Sequence, residues 1–198
     1  MEQRVEARRS RTRDDIIAAA WRLAEREGLV GLTLRDLAAE VGMRAPSLYG
    51  YFDSKAAIYD AMFAAAYRDL DAAIWAPEAW ATDPGEDPHA WLVAGAEQWL
   101  AFCQASVPRY QLMFTRAVPG WEPSPEAYAA STDSFTRMRE ALARAGIRED
   151  RDVDLWTALV AGLAAQQIAN EPGGQRWVAL TDRAVRMVLH EINERTAP

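Results

Sequence analysis

Apolar residues recur at three- and four-residue spacing along almost the whole chain, and no segment alternates as a half-buried strand must. Ile16, Ile17, Ala20, Leu23 and Ala24 define one face of a first helix. Thr12 with Asp15 reads as a capping-box-like start for it, and Gly28 as its stop. Thr33, followed three residues later by Asp36, opens a second helix that ends near Gly42. Pro46 suits the first turn of a short third helix, about 45–52, because its missing amide would have no partner there. Asp53-Ser54 caps a long fourth helix to about Trp75. The prolines and glycine of Ala76–Pro88 mark a loop, as do the three prolines and Gly120 of Val118–Pro125. Gly146 and Pro172-Gly173-Gly174 separate the remaining periodic segments. The pattern predicts about nine helices, the later ones over about 89–106, 109–117, 125–145, 151–170 and 175–195. The class is all-α, with a small helical domain over 1–53 and a larger helical domain over 54–198.

The formal net charge is −7 over 198 residues, which by itself gives no reason to expect nucleic acid or an anionic membrane as partner. Divided by position, the charge tells more. Residues 1–55 hold 10 basic and 9 acidic side chains, whereas the other 143 hold 12 and 20. Arg4, Arg8, Arg9, Arg11 and Arg13 crowd the start, and Lys55 is the chain's only lysine. Those arginines read either as an arm lying along phosphates or as a solvated tail. Cys103 is the single cysteine, so no internal disulfide is possible and a reducing, cytoplasmic compartment is expected. No apolar run approaches the roughly 18 residues of a membrane helix, and the polar first residues do not form a signal peptide.

The segment from Leu34 to Phe52 carries the sharpest local signal. It reads as two short helices joined by a tight turn at Gly42, with Ala38 small where the helices cross. Leu37, Val41, Met43, Leu48 and Tyr51 stand at the offsets that seal a helix-turn-helix core. Such a unit lays its second helix in the major groove. Here that helix offers Arg44, Ala45, Ser47, Tyr49 and Gly50, side chains suited to base edges or thymine methyls.

Thr33 through Lys55, with the run Pro46-Ser-Leu-Tyr-Gly-Tyr-Phe-Asp-Ser-Lys55, closely resembles the DNA-binding region of the tetracycline-repressor (TetR) family. The resemblance spans about residues 12–60 and implies a dimeric, all-helical transcription regulator, most often a repressor released by a small ligand. It further implies that Thr33, Tyr51 and Lys55 contact backbone phosphates, while Arg44, Ala45, Pro46, Ser47 and Tyr49 face bases or adjacent phosphates. Tyr51 stands where the family commonly has histidine. Read without the family, Thr33 is a helix cap, and Pro46 and Leu48 are structural.

Beyond residue 60 the motifs weaken. Eight tryptophans exceed what a plain bundle core needs, and large aromatics with a few polar groups can line a ligand cavity. The candidate lining is Trp99, Phe102, Cys103, Tyr110, Met113, Phe114, Phe135, Met138, Trp156 and Gln166; ordinary core is the alternative for each. In the last helix Trp177, Leu180, Ala184 and Val188 mark one face, and Val178, Val185, Leu189 and Ile192 another. Two stripes suggest that one faces a second chain. With the small residues of 158–165, the candidate homodimer contacts are Leu155, Leu159, Gly162, Leu163, Val185, Leu189 and Ile192. The runs Val118–Tyr128 and Trp156–Trp177 are similar to those of one actinobacterial subgroup of the family.

Catalysis is disfavoured. His89 and His190 are far apart in sequence, neither in a metal-ligand spacing, Cys103 lacks a nucleophile signature, and no glycine-rich phosphate loop opens a helix. No cofactor is expected. The expected partners are an operator in double-stranded DNA, a small, largely apolar effector and a second copy of the chain. The alternatives are a dimeric DNA binder without an effector and an all-helical enzyme.

Overall fold

The computed structural model describes residues 2–75 and 83–196; the predicted loop residues 76–82 lie outside them. Among the described residues there are nine α-helices, one 3₁₀ turn and no strand. They are α1 (Glu2–Gly31), α2 (Leu34–Glu40), α3 (Ala45–Leu48), α4 (Lys55–Ile74), α5 (Pro88–Ala105), α6 (Val107–Phe114), α7 (Pro125–Arg144), α8 (Asp150–Asn170) and α9 (Thr181–Thr196). No described helix is long and apolar enough to cross a membrane.

Two compact units make up the chain. The first runs to Tyr67 and takes in Ser106–Ser131. The second comprises Arg68–Ala105 and the residues from Thr132 onward. The first unit's core gathers Ile16, Ala19, Ala20, Leu23 and Ala24 of α1, Leu37 of α2, Leu48 of α3, and Ile58, Tyr59, Met62 and Phe63 of α4. Each buried Leu or Ile there contributes about 1.5–3 kcal/mol through loss of apolar surface to water. Trp121 joins this core, 5.6 Å from the Tyr59 ring and 6.0 Å from the Phe63 ring. Its indole N–H donates to Asp60 Oδ1 at 3.1 Å, and the same oxygen accepts from the Ser124 amide at 3.2 Å. The proline-rich segment before α7 is thus an internal part of the first unit. In addition, α6 packs on α1, where Ser106 Oγ caps α6 and also bonds the Glu25 carboxylate.

The second unit packs α5 against α8 and α9. Its core holds Trp91, Leu92 and Ala96, then Ala141, Leu142, Ala145 and Ile147, with Val153, Trp156 and Val160 from α8 and Val185, Val188 and Ile192 from α9. Asp152 near the start of α8 takes both arms of the Arg195 guanidinium near the end of α9. That pairing holds the Asp152 carboxyl below its ordinary value.

Several boundaries differ from those the spacing predicts. α1 starts at Glu2 rather than Thr12, and the Thr12 hydroxyl donates back to the Arg8 carbonyl at 3.0 Å instead of capping. The arginine-rich start is therefore helical rather than an extended arm or tail. α6 starts at Val107, because Ser106 and not a later residue supplies its cap. α9 starts at Thr181, after a 3₁₀ turn over Val178–Leu180 that takes Trp177, Val178 and Leu180 off the helix. Two of the other boundaries rest on local chemistry. The Thr33 hydroxyl accepts from the Asp36 amide at 3.1 Å and caps α2, and Ser54 Oγ accepts from the Ala57 amide at 3.1 Å at the start of α4.

Candidate nucleic-acid interface

The geometry of the α2–α3 pair begins at Gly42. Its φ of +67° lets the Met43 amide reach the Ala38 carbonyl at 2.8 Å, closing α2 and reversing the chain. An L side chain at that backbone angle is strained, so the turn selects glycine. Ala38, almost fully buried, permits the close approach. Glu40 near the end of α2 is gripped from α1 by Arg26 at 2.7 Å and Arg22 at 3.2 Å. Those two guanidinium groups, Arg26 foremost, hold the Glu40 carboxyl below its ordinary value.

On this frame α3 turns Leu48 inward and leaves Arg44, Pro46, Ser47 and Tyr49 exposed, with Ala45 half-buried. The Tyr49 side chain is 54% exposed, a large aromatic with no intramolecular reason to face outward. Thr33, also exposed, stands at the head of α2, its hydroxyl donating to Asp36 Oδ2 at 2.6 Å. Tyr51 is half-buried against the first unit's core. Lys55 is half-buried, with Nζ 3.3 Å from the Val30 carbonyl oxygen and 5.4 Å from the centre of the Tyr59 ring. One ammonium hydrogen meets that carbonyl, which leaves two for an outside acceptor. The structure thus brings all eight candidates into one unit, at the N-cap of α2, on and beside α3, and at the start of α4.

The candidate effector residues are divided between the two units. Tyr110, Met113 and Phe114 lie on α6 in the first unit, where the Phe114 ring lies tilted 5.7 Å from Tyr110 and edge-on 6.1 Å from Tyr67. Trp99, Phe102, Cys103, Phe135, Met138, Trp156 and Gln166 belong to the second unit. There Trp156, Trp99 and Met138 join the core, Phe102 and Cys103 are buried, and Phe135 is 42% exposed. Burial pushes the Cys103 thiol well above its ordinary value, so it is held protonated. Gln166 is exposed; the buried neighbour is Gln167. Gln167 Oε1 accepts from the Trp177 amide at 2.9 Å, and its amide nitrogen donates to the Glu171 carbonyl, so it ties down the turn between α8 and α9. Two clefts in the structure, of about 530 and 380 Å³, are lined by none of these residues.

Of the candidate dimer contacts, Leu163, Val185 and Ile192 are buried within the second unit. Leu159 and Leu189 are half-buried, while Leu155 and Gly162 are exposed. Met187 and Leu180, both exposed, lie outside that set. The histidines have separate neighbours. His89 Nε2 is 3.1 Å from Asp182 Oδ1, and His190 Nε2 is 3.3 Å from Glu194 Oε1. Among the described residues no group of three or more His, Cys, Asp or Glu is placed to hold a metal ion.

A buried three-helix frame with a braced second helix and an exposed third is the helix-turn-helix architecture of a DNA-binding protein. The family model for bacterial regulatory proteins of the tetR family matches residues 16–62. Residues 16–62 thus carry the DNA-binding region of tetR-family regulators. The match goes no further than the family, and no subgroup follows from it. No curated protein matches the chain. Among solved structures the fold is similar to that of the TetR-family regulator PfmR from Thermus thermophilus, with 22% identity and a TM-score of 0.61 over 88% of this chain and 97% of that one. It is also similar to SCO0253, a TetR-family regulator from Streptomyces coelicolor, with 22% identity and a TM-score of 0.57 over 94% and 96%. A TetR variant from Acinetobacter baumannii in complex with minocycline is similar in fold at 17% identity, with a TM-score of 0.58 over 93% and 98%.

Proposed function

We propose that the chain acts as a homodimeric repressor that binds a palindromic operator and is released by a small, largely apolar effector. The observation that carries the DNA half is the exposed set Arg44, Pro46, Ser47 and Tyr49 on a helix whose inner side, Leu48, is locked into the core. Those side chains read base edges in the major groove, alongside Ala45. Thr33, Tyr51 and Lys55 take the flanking phosphates, with Lys55 using the hydrogens that Val30 leaves free. The single lysine thereby couples the DNA backbone to α4.

Support for pairing comes from α8. Its outer face carries Leu155, Ala158, Ala161 and Gly162 in the open. A Cβ at Gly162 would meet nothing within 4 Å, so the single chain has no need of glycine there. Glycine inside a helix costs about 1 kcal/mol relative to alanine, a cost that a closely approaching second helix would explain. Exposed Met187 adds an apolar side chain on α9. Two copies joined along these faces present their recognition helices about one DNA turn, roughly 34–36 Å, or a multiple of it apart. The effector half rests on the aromatic richness of the chain and on the minocycline complex of a protein of similar fold. An effector shifts the DNA-binding equilibrium only by its differential affinity for the two states.

Selection of bound duplexes from a random pool tests the reading. Enrichment of one inverted-repeat sequence is expected. Failure to enrich any sequence, at low and moderate salt alike, would defeat it.

A further inference from the structure

The N-terminal arginines are the one motif that the DNA-reading face does not absorb. Arg9 and Arg13 lie four residues apart on α1 and so share a face. Both reach the same place. Arg13 Nη1 donates to the Tyr51 carbonyl, and its guanidinium carbon lies 4.3 Å from the centre of the Phe52 ring. Arg9 Nη2 donates to the Gly50 carbonyl at 2.9 Å. Gly50 and Tyr51 follow Tyr49, the C-cap of α3, and their own amides point back to the Ser47 and Leu48 carbonyls. Carbonyls at a helix's C-terminal end lack intrahelical donors and carry the negative end of its dipole, so a cation matches them.

The recognition helix needs this help. α3 is a four-residue helix with no side-chain cap at its start. A helix of one turn has little stability of its own. Its outward face must stay free for DNA, so apolar burial can anchor it only through Leu48 and the residues after it. Gly50 sits between Tyr49 and Tyr51 and resists backbone rotation less than any other residue.

We infer that Arg13, backed by Arg9, is a specificity-setting positioning residue: Arg13 fixes the Tyr51–Phe52 peptide and Arg9 the Gly50–Tyr51 peptide before it, and through them the angle at which Tyr49 and α3 meet the base edges. The inference rests on the DNA-reading function proposed above. A phosphate contact and a positioning contact leave different traces. Loss of a phosphate contact weakens all DNA binding and lowers the salt slope by about one. Loss of a positioning contact removes discrimination between sequences and leaves the slope alone.

The test is fluorescence anisotropy on the wild-type-selected operator and on a scrambled duplex, each across a salt series. Wild type, Arg13→Ala, Arg13→Lys and Arg9→Ala are compared. A wild type that shows no preference defeats the DNA-reading function itself; the variants test the positioning role separately. Arg13→Ala is expected to lose about tenfold or more of the preference for operator over scrambled DNA, the scale of one base contact. Its affinity for scrambled DNA and its salt slope stay at the wild-type values. Arg13→Lys recovers part of the preference, since an ammonium can still donate to a carbonyl but does not lie flat on the Phe52 ring. Arg9→Ala gives a smaller loss of the same kind. Equal losses on both duplexes, or an unchanged preference, would overturn the inference. Circular dichroism shows whether Arg13→Ala folds. If it does not, Arg13→Lys and Arg9→Ala carry the test, because the exposed Arg9 side chain can be removed without opening the core.

Discussion

The first unit is tied together by side chains that reach far along the sequence to backbone atoms, and the second by stacked apolar helix faces. In the first, Arg9 and Arg13 bond carbonyls about 40 residues away, the buried Tyr59 hydroxyl donates to the Leu29 carbonyl at 2.6 Å, and Asp60 caps the approach to α7. In the second, four helices supply the core, supported by the Asp152–Arg195 pair, by Gln167, and by Asp71, which accepts from Ser134 at 2.6 Å and Arg137 at 3.0 Å. The difference follows from the work. A reading helix must leave one side bare, so it cannot be fixed by burial on all sides, and polar bonds to its backbone take over. A helical body has no such restriction.

The largest expected effect is on assembly. Leu155→Arg places a charge on the exposed face of α8 and should convert dimers to monomers by light scattering; a persistent dimer would move the interface elsewhere. Next come the cores. Leu37→Ala in the first unit and Leu142→Ala in the second should each cost about 2–5 kcal/mol in urea unfolding, since both side chains are fully buried. A cost near zero at Leu37 would mean that the polar bonds alone hold the first unit, a sharper contrast still. Gly42→Ala forces an L residue into the left-handed region and should cost roughly 1–2 kcal/mol. The smallest effect concerns acid. Asp152 titrates lower in the folded chain than its ordinary value because Arg195 bonds its charged form, so its contribution is complete above the usual carboxylate range. It is lost as pH falls through the lowered folded value. The melting temperature of wild type should therefore exceed that of Asp152→Asn near neutrality, with the gap closing in acid. A gap independent of pH would show that the pair does not stabilise the unit.

What was legible in the sequence is what local chemistry decides. Thr33 with Asp36, Ser54 and Gly42 announce helix ends because a cap or a left-handed turn involves residues within three or four positions. The outward set on α3 follows from the period of a helix once Leu48 is taken as the inner residue. Nothing local announces that Arg13 meets Tyr51 or that Trp121 meets Asp60, because those partners are 38 and 61 residues apart. The choice between Gln166 and Gln167 turns on the rotation of α8, which packing against α5 and α9 sets. The start of α9 was hidden for a related reason: the 3₁₀ turn over Val178–Leu180 has apolar residues that continue the helical rhythm by chance. Val185 and Ile192 read as a second stripe in the sequence, but on α9 they are buried together with Ala184 and Val188, at three- and four-residue spacing.

The central claim is that the exposed face of α3 reads DNA sequence while the charges around it supply affinity. The most direct measurement is a titration of wild type and Tyr49→Ala on the selected operator and on scrambled DNA. Tyr49→Ala should retain the wild-type fold and its salt-dependent binding to scrambled DNA, and lose most of the preference for the operator. An operator preference equal to that of the wild type would contradict the assignment of that face.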